Sequence, residues 1–365
     1  MNHLFEPLTL RDITLKNRIG IPPMCQYSAQ DGIAADWHFV HYGSLAAGGA
    51  ALMIVEATAV SPEGRISPGD LGLWNDEQIA PLARIAQFSK TQGCVPALQL
   101  AHAGRKASVG LGWQAQHTLT AAEGGWPVIA PSPVSFDDGY AIPCELDETG
   151  INEVIEQFIA AAKRALTAGF AAVEIHAAHG YLLHQFLSPL SNLRTDGYGG
   201  SFENRTRLVR EVVSAVRRVW PVHLPLLVRL SATDWMAGGW NADETVALCR
   251  QLKTLGVDLI DVSTAGLIPA AIVPAAPGFQ VEFAARVRNE AFIQSAAVGL
   301  ITSPEQADQI IRTGQADLVL LGREMLRNHQ WPMIAAAALG QSTSWPVQYL
   351  RAAPPGTTAR LISPS

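Results

Sequence analysis

The sequence predicts an α/β fold, a single (β/α)8 (TIM) barrel, on three observations. Eight short apolar runs alternate with eight longer helical patterns. Eight β-α units close a parallel sheet into a barrel, and 365 residues suit a barrel with insertions. No G-x-G-x-x-G follows the first strand, which weakens the case for an open, doubly wound sheet.

The elements follow in order. RIGIPPM (18–24) is the first strand, and ITLKNR before it reads as part of an N-terminal hairpin that plugs the barrel floor. ALMIVEA (51–57), VPALQLAH (95–102) and AAVEIHA (171–177) are the next three strands. LPLLVRLSA (224–232), VDLIDVS (257–263), AFIQSAAVG (291–299) and ADLVLLG (316–322) complete the eight. Helical patterns lie at 37–48, 77–92, 148–168, 204–219, 243–255, 280–290 and 304–313, with a last one near 331–339. Gly93, Gly169, Gly256 and Gly314 stand where helices stop before strands. The third strand is followed by a long excursion, 103–147, rich in Gly, Pro and Trp; a loop of this length reads as a cap over the barrel mouth. The expected organisation is one domain, 1–365, whose last stretch, about 352–365, is a loose tail.

Composition excludes several classes. Hydrophobic residues make up 48% and charged residues 16%, which argues for a packed core and against disorder. Lys and Arg number 26 against 32 Asp and Glu, with no basic run, so a nucleic-acid partner is not expected. The N-terminus lacks an apolar signal segment, and no run approaches the ~18 apolar residues of a membrane span. Cys25, Cys94, Cys144 and Cys249 are scattered, which fits a reducing cytoplasm and neither a disulfide framework nor a zinc-cysteine site.

In such barrels chemistry sits at the C-terminal ends of the strands. EIHAAHGYLLHQFL (174–187) places His176 and His179 there, with Tyr181 and His184 following. Both histidines face one pocket only if the chain turns after His176, and Ala177, Ala178 and Gly180 permit that turn. Three readings follow: a metal pair, two packed imidazoles, or two N–H donors aimed at a substrate oxygen. The first gives an alternative function, a metal-dependent barrel hydrolase or lyase. Gly322-Arg323 opens a helix after the last strand, and Gly299 follows the seventh; backbone N–H groups there suit a phosphate. Arg229 interrupts an apolar strand without an obvious carboxylate, so a ligand anion is expected beside it. Gln99 offers a two-sided amide suited to a heterocycle edge or to barrel backbone. PPMCQY (22–27) brings Cys25 and Tyr27 to the end of the first strand, with His38 or His41 as a base by sequence alone.

These segments together, with VEATAVSPEGRI, LQLAHAGRKA, RTDGYGGSFENR, AVGLITS, ADLVLLGRE and PVQYLR, resemble the old yellow enzyme family. The likeness is closest to its bacterial branch with a cysteine beside the flavin, the YqjM-like ene reductases, which include xenobiotic reductase. It runs from Leu4 to about Arg351 in the expected order. The resemblance implies tightly but non-covalently bound FMN, NADPH or NADH as reductant, and ping-pong reduction of the C=C bond of α,β-unsaturated carbonyl or nitro compounds. Pro22, Pro23, Met24 and Cys25 would line the flavin, and Ala57 would touch it by backbone. Gln99 would pair with its pyrimidine part, Arg229 would face N1 and C2=O, and Gly299, Gly322 and Arg323 would hold the phosphate. His176 and His179 would bind the substrate carbonyl oxygen, Tyr181 would donate the proton, and Tyr27 would orient substrate. Arg351 would reach the neighbouring subunit's site in a homodimer or homotetramer. The resemblance leaves catabolism, detoxification and oxidative-stress defence open.

Overall fold

The computed structural model describes residues 3–114 and 116–358. Eight strands form a closed parallel barrel: β1 Ile19–Ile21, β2 Leu52–Ala59, β3 Val95–Ala101, β4 Ala172–Ala177, β5 Leu226–Ser231, β6 Leu259–Ser263, β7 Gln294–Ala297 and β8 Leu318–Leu320. Their order around the barrel is their order in sequence, with β8 pairing β1 through Val319–Ile19 and Leu320–Gly20. Each predicted strand is present, with shorter ends except for β2, which runs past its predicted end. β1 stops at Ile21 because Pro22 and Pro23 have no N–H to give a ladder. β5 begins after Pro225 for the same reason. β2 runs on to Ala59 and carries a register shift between Val55 and Thr58, a bulge at the level of Ala57.

The main helices are α1 Asp36–Ala47, α2 Ile79–Thr91, α3 Glu148–Thr167, α4 Arg207–Val219, α5 Ala242–Thr254, α6 Val281–Glu290, α7 Pro304–Arg312 and α8 Trp331–Ala338. α4 shows how they form. Leu208, Val209, Val212, Val213 and Val216 are buried on one face, and Arg207, Arg210, Arg217 and Arg218 are not. Gly93, Gly169, Gly256 and Gly314 all take positive φ at the predicted stops (64°, 84°, 89° and 70°). Short helices at Leu182–Leu187, Phe202–Arg205 and Arg323–Arg327 add to the expected set.

Two apolar layers hold the barrel. The helices close a continuous core over its outside. Inside, Leu52, Ala97, Ala172, Leu227, Leu259, Ala296 and Leu318 form the floor layer with Leu8, Leu10 and Leu15. The last three come from the predicted hairpin, strands Leu8–Leu10 and Ile13–Leu15. Arg11 at its tip fixes it from below, with Nε 2.7 Å from both oxygens of Asp258. The 103–147 segment packs over the opposite end; its two short strands, Ile129–Ala130 and Cys144–Glu145, pair in parallel. Within the stretch predicted as a tail, Thr343 N–H donates to Thr357 O at 3.0 Å. Residues 359–365 lie outside the described residues.

Leu15 has no solvent exposure and sits on the floor layer. Leu15→Ala is expected to lower unfolding free energy by about 2–5 kcal/mol, read from urea denaturation. A loss under about 1 kcal/mol would show that the hairpin does not plug the barrel.

Candidate active site

The site is built where strands end. After β4 the chain turns as the sequence required: His179 has φ +58° and Gly180 φ +74°. The turn is crowded. A Cβ on Gly180 would lie 2.1 Å from Gly266 O, and one on Gly266 would lie 2.6 Å from His179 Cα. Only glycine at both positions lets the two loops cross. The His176 and His179 rings thereby meet edge-on, centroids 5.2 Å apart at 85°, and Tyr181 packs on His176 at 5.0 Å.

The hydrogen bonds divide the histidines among separate partners. His176 Nδ1 accepts from Ala178 N–H at 3.3 Å, which leaves the ring proton on Nε2. His179 Nε2 lies 2.8 Å from Ser263 Oγ on β6, and its N–H donates to Ser231 Oγ on β5. Burial, then Arg229, pushes both imidazoles well below their ordinary range, so both are neutral near pH 7. His184 holds the turn from behind. It is fully buried, its Nδ1 accepts from Gly180 N–H at 2.9 Å, and its Nε2 lies 3.0 Å from Asp234 Oδ1. Among the described residues, no three His, Cys, Asp or Glu come together in a metal-holding group.

Deeper in the barrel, Gln99 Nε2 donates to Glu174 Oε1 at 2.8 Å. Arg229 does have a carboxylate, contrary to the expectation from sequence: its Nε lies 3.0 Å from Asp261 Oδ2 on the adjacent strand. Asp261 was hidden in VDLIDVS because only barrel register brings it level with Arg229.

The Pro22–Tyr27 segment leaves β1 without strand pairing and is held from β2. Gln26 N–H donates to Glu56 Oε2 at 2.8 Å, and Glu56 Oε1 accepts from Tyr42 Oη–H at 2.9 Å. Burial raises Glu56 to about 8. Cys25 is not an activated nucleophile. Burial, then Asp70 and Glu56, pushes its thiol well up, and the two candidate bases are engaged elsewhere. His38 Nδ1 accepts from Ala35 N–H with Nε2 turned to Glu56, and His41 packs edge-on against Tyr42. Burial lowers both histidines to about 4.

Two residues that sequence reasoning quoted without a role prove central. Lys106 Nζ donates to His179 O and Gly266 O, both at 2.9 Å, and stands 5.1 Å from the Tyr181 ring centre. Burial, then Arg105, lowers it to about 7. Arg105 donates to Val134 O, Ser135 O and Leu267 O, which ties the cap to the loop after β6. The available signal was two adjacent cations just beyond a buried strand end. Tyr27, at φ +50°, meets Trp113 of the cap edge-on at 6.0 Å. Arg351 is exposed on the turn Val347–Ala352 and shares no hydrogen bond or ion pair with the strand-end residues among those described.

The donor set suits a planar heterocycle with a phosphate tail. The Gln99 amide nitrogen is committed to Glu174, which leaves its oxygen as an acceptor. Gly299, at φ +127°, and Gly322, which begins the helix Arg323–Arg327, provide backbone without side chains. A Cβ on Gly322 would enter the space faced by Pro22 Cγ (3.5 Å) and Met24 Sδ (3.6 Å).

The family described as NADH:flavin oxidoreductase / NADH oxidase matches residues 3–341. An NADPH dehydrogenase of Listeria monocytogenes serotype 4a (strain HCC23) is 47% identical over 354 residues, 96% of this chain and 99% of its own. Morphinone reductase, solved with tetrahydroNAD, superposes with a TM-score of 0.75 at 29% identity, over 95% of this chain and 93% of that one. A 2-naphthoyl-CoA reductase solved with 2-naphthoyl-CoA shares the fold at TM-score 0.84 and 22% identity; 93% of this chain matches 52% of that one. The barrel and these matches define a flavin-dependent oxidoreductase. The chain belongs to the NADH:flavin oxidoreductase / NADH oxidase family, that of the old yellow enzymes, with FMN as cofactor and NAD(P)H as reductant.

A neutral Cys25 thiol should react slowly with iodoacetamide. At pH 7 peptide mapping is expected to show the exposed Cys144 alkylated at least ~10-fold faster than Cys25. Faster labelling of Cys25 would overturn the neutral-thiol assignment.

Proposed function

We propose that this enzyme is an ene reductase, which takes hydride from NAD(P)H and reduces the C=C bond of α,β-unsaturated carbonyl or nitro compounds. The observation that carries the reading is a pair of neutral imidazoles, 5.2 Å apart, beside the Tyr181 phenol at the mouth of the barrel. FMN supplies the hydride chemistry at its N5; everything else is placement and field. Pro22, Pro23, Met24, Cys25, Ala57, Gln99 and Arg229 are assigned to its ring system, and Gly299, Gly322 and Arg323 to its phosphate.

In this reading His176 donates from Nε2, the nitrogen that Ala178 leaves protonated. His179 donates from Nδ1, which requires the Ser263 hydroxyl to donate to Nε2. Two N–H donors on one oxygen draw charge from the alkene and stabilise the enolate that hydride addition creates. Neutral rings suit this, because they polarise the oxygen without giving up a proton. Tyr181 then delivers the proton to the α-carbon. Burial, then Cys25 and Tyr27, pushes its phenol well up, which keeps it protonated until that moment. Tyr27 and the cap's Trp113 orient the substrate. Lys106 fixes the His179 carbonyl and lies against the Tyr181 ring, so it holds the two reacting groups in one arrangement.

We assign Arg351 to the substrate site of a neighbouring subunit in a homodimer or homotetramer. Its exposure on a turn away from its own strand ends supports that reading. No helix among the described residues is long and apolar enough to cross a membrane, and a cytoplasmic location is proposed with the scattered cysteines in mind.

Stopped-flow absorbance separates the half-reactions. NADPH is expected to bleach the bound flavin without oxygen, and cyclohexenone or N-ethylmaleimide to restore its colour. Tyr181→Phe should slow the second step by about 10²–10⁴-fold and the first by less than ~3-fold. Recolouring by none of a panel of enones, maleimides and nitroalkenes would refute the ene-reductase reading, and equal slowing of both steps would refute the proton donor. Arg351→Ala is expected to raise KM for the alkene several-fold with unchanged unfolding midpoint. Unchanged kinetics would refute the shared site.

A further inference from the structure

Between the apolar floor and the histidines, the barrel interior is charged where such barrels are usually filled by branched apolar side chains. Glu174 and Asp261 are fully buried, and Gln99 and Arg229 are 1% and 7% exposed. Two acids thus accompany one guanidinium. Glu174 Oε2, both Asp261 oxygens, Arg229 Nε and Ser295 Oγ are buried without a hydrogen-bond partner. The Arg229–Asp261 contact at 3.0 Å is therefore ionic and not an aligned hydrogen bond. A buried ion pair of this kind is weak evidence of stabilisation, since well-packed apolar residues often do as well or better. A second acid beside it is costlier still, because both carboxylates ionised would leave one negative charge uncompensated in a dry barrel. A stability role does not explain the arrangement; a role toward the bound cofactor does.

We propose that Glu174 and Asp261 are positioning residues for the flavin's pyrimidine edge, aiming Gln99 and Arg229 at it and holding one proton between them when the flavin is oxidised and two when it is reduced. Gln99 gives its nitrogen to Glu174 and so turns its oxygen outward. Asp261 pins Arg229 through Nε, which leaves the two terminal nitrogens for the ligand. The proton count follows from the charges. Burial, then Asp261, holds Glu174 protonated, while burial places Asp261 at about 6 against the pull of Arg229. Hydride brings the flavin two electrons and one proton, and the ring becomes an anion facing Arg229. Arg229 then has two anions to balance, so Asp261 takes one proton from solvent on reduction and returns it on reoxidation. The other groups facing the pair are Gln99 on β3 and the neutral His176 on β4, neither of which carries charge near pH 7. The inference rests on FMN and not on the ene-reductase reading, and its test needs no alkene.

The test is the midpoint potential of the FMN-loaded protein from pH 5 to pH 9, by anaerobic spectroelectrochemistry. In the wild type the pH slope is expected to double, from one proton per two electrons to two, in a window opening just above pH 6. In Asp261→Asn the one-proton slope should persist at every pH, and at pH 8 the reduced flavin should gain about tenfold over the oxidised form, a rise of ~30 mV for a two-electron couple. Glu174→Gln keeps an oxygen for Gln99 and should retain FMN, whereas Glu174→Leu should weaken FMN binding about tenfold by fluorescence titration. A one-proton wild-type slope throughout overturns the shared proton. An Asp261→Asn midpoint equal to wild type, or Glu174→Leu binding FMN as tightly as wild type, overturns the positioning role. If Asp261→Asn does not fold, Asp261→Ser supplies the same slope comparison, which is needed because Lys106 at about 7 and Glu56 at about 8 titrate in the same range.

Discussion

Arg229 carries its charge in the barrel interior with 7% of its surface exposed, and Asp261 lies 3.0 Å from its Nε. A charge so placed must be satisfied from nearby, because water cannot reach it. Much of the interior follows from that requirement. The floor layer and hairpin keep solvent out from below. Glu174, Gln99 and Asp261 come from three different strands to the same region, and only barrel closure makes them neighbours. Arg229 also lowers the basicity of His176 and His179, after burial itself. One cation thus bears on both layers.

The upper layer obeys a different rule. Here the demand is geometric: two imidazoles and a phenol must converge from one short turn. The crossing of Gly180 with Gly266, the bond from His184 to Gly180 and the two bonds from Lys106 all fix that turn. His184 is in turn held by Asp234, whose other oxygen accepts from Ser188 and from Trp240 N–H. His176, His179 and Tyr181 are thus backed by a layer of hydrogen-bonded groups, the usual condition for holding a geometry within fractions of an ångström.

The sequence made the periodic features legible. Eight strands, the helix stops and the floor hairpin all follow from local pattern, while the strand ends shifted by up to three residues, at Pro22, Pro23 and Pro225 because these residues withdraw an N–H. His176, His179 and Tyr181 were legible because they lie within one short stretch. What sequence did not give was pairing across the barrel. Asp261 beside Arg229, Glu174 beside Gln99 and Lys106 beneath His179 each join residues far apart in the chain. The partner of His184 was hidden for the same reason, since Asp234 lies 50 residues downstream. Periodicity reports which face a residue takes; it does not report which charge waits on the other side.

The cap meets the chemistry through few points. Arg105 grips its backbone at Val134 and Ser135, while Tyr27 touches it at Trp113. Trp113 itself is 67% exposed, and among the described residues of 109–128 none gives the histidine turn a hydrogen bond. The exposed part of the cap around Trp113 is therefore separable from the part that holds the histidine turn. A loop graft confined to residues 110–125 leaves in place Lys106 and the Ala103, Ala107 and Val128 patch against Tyr181.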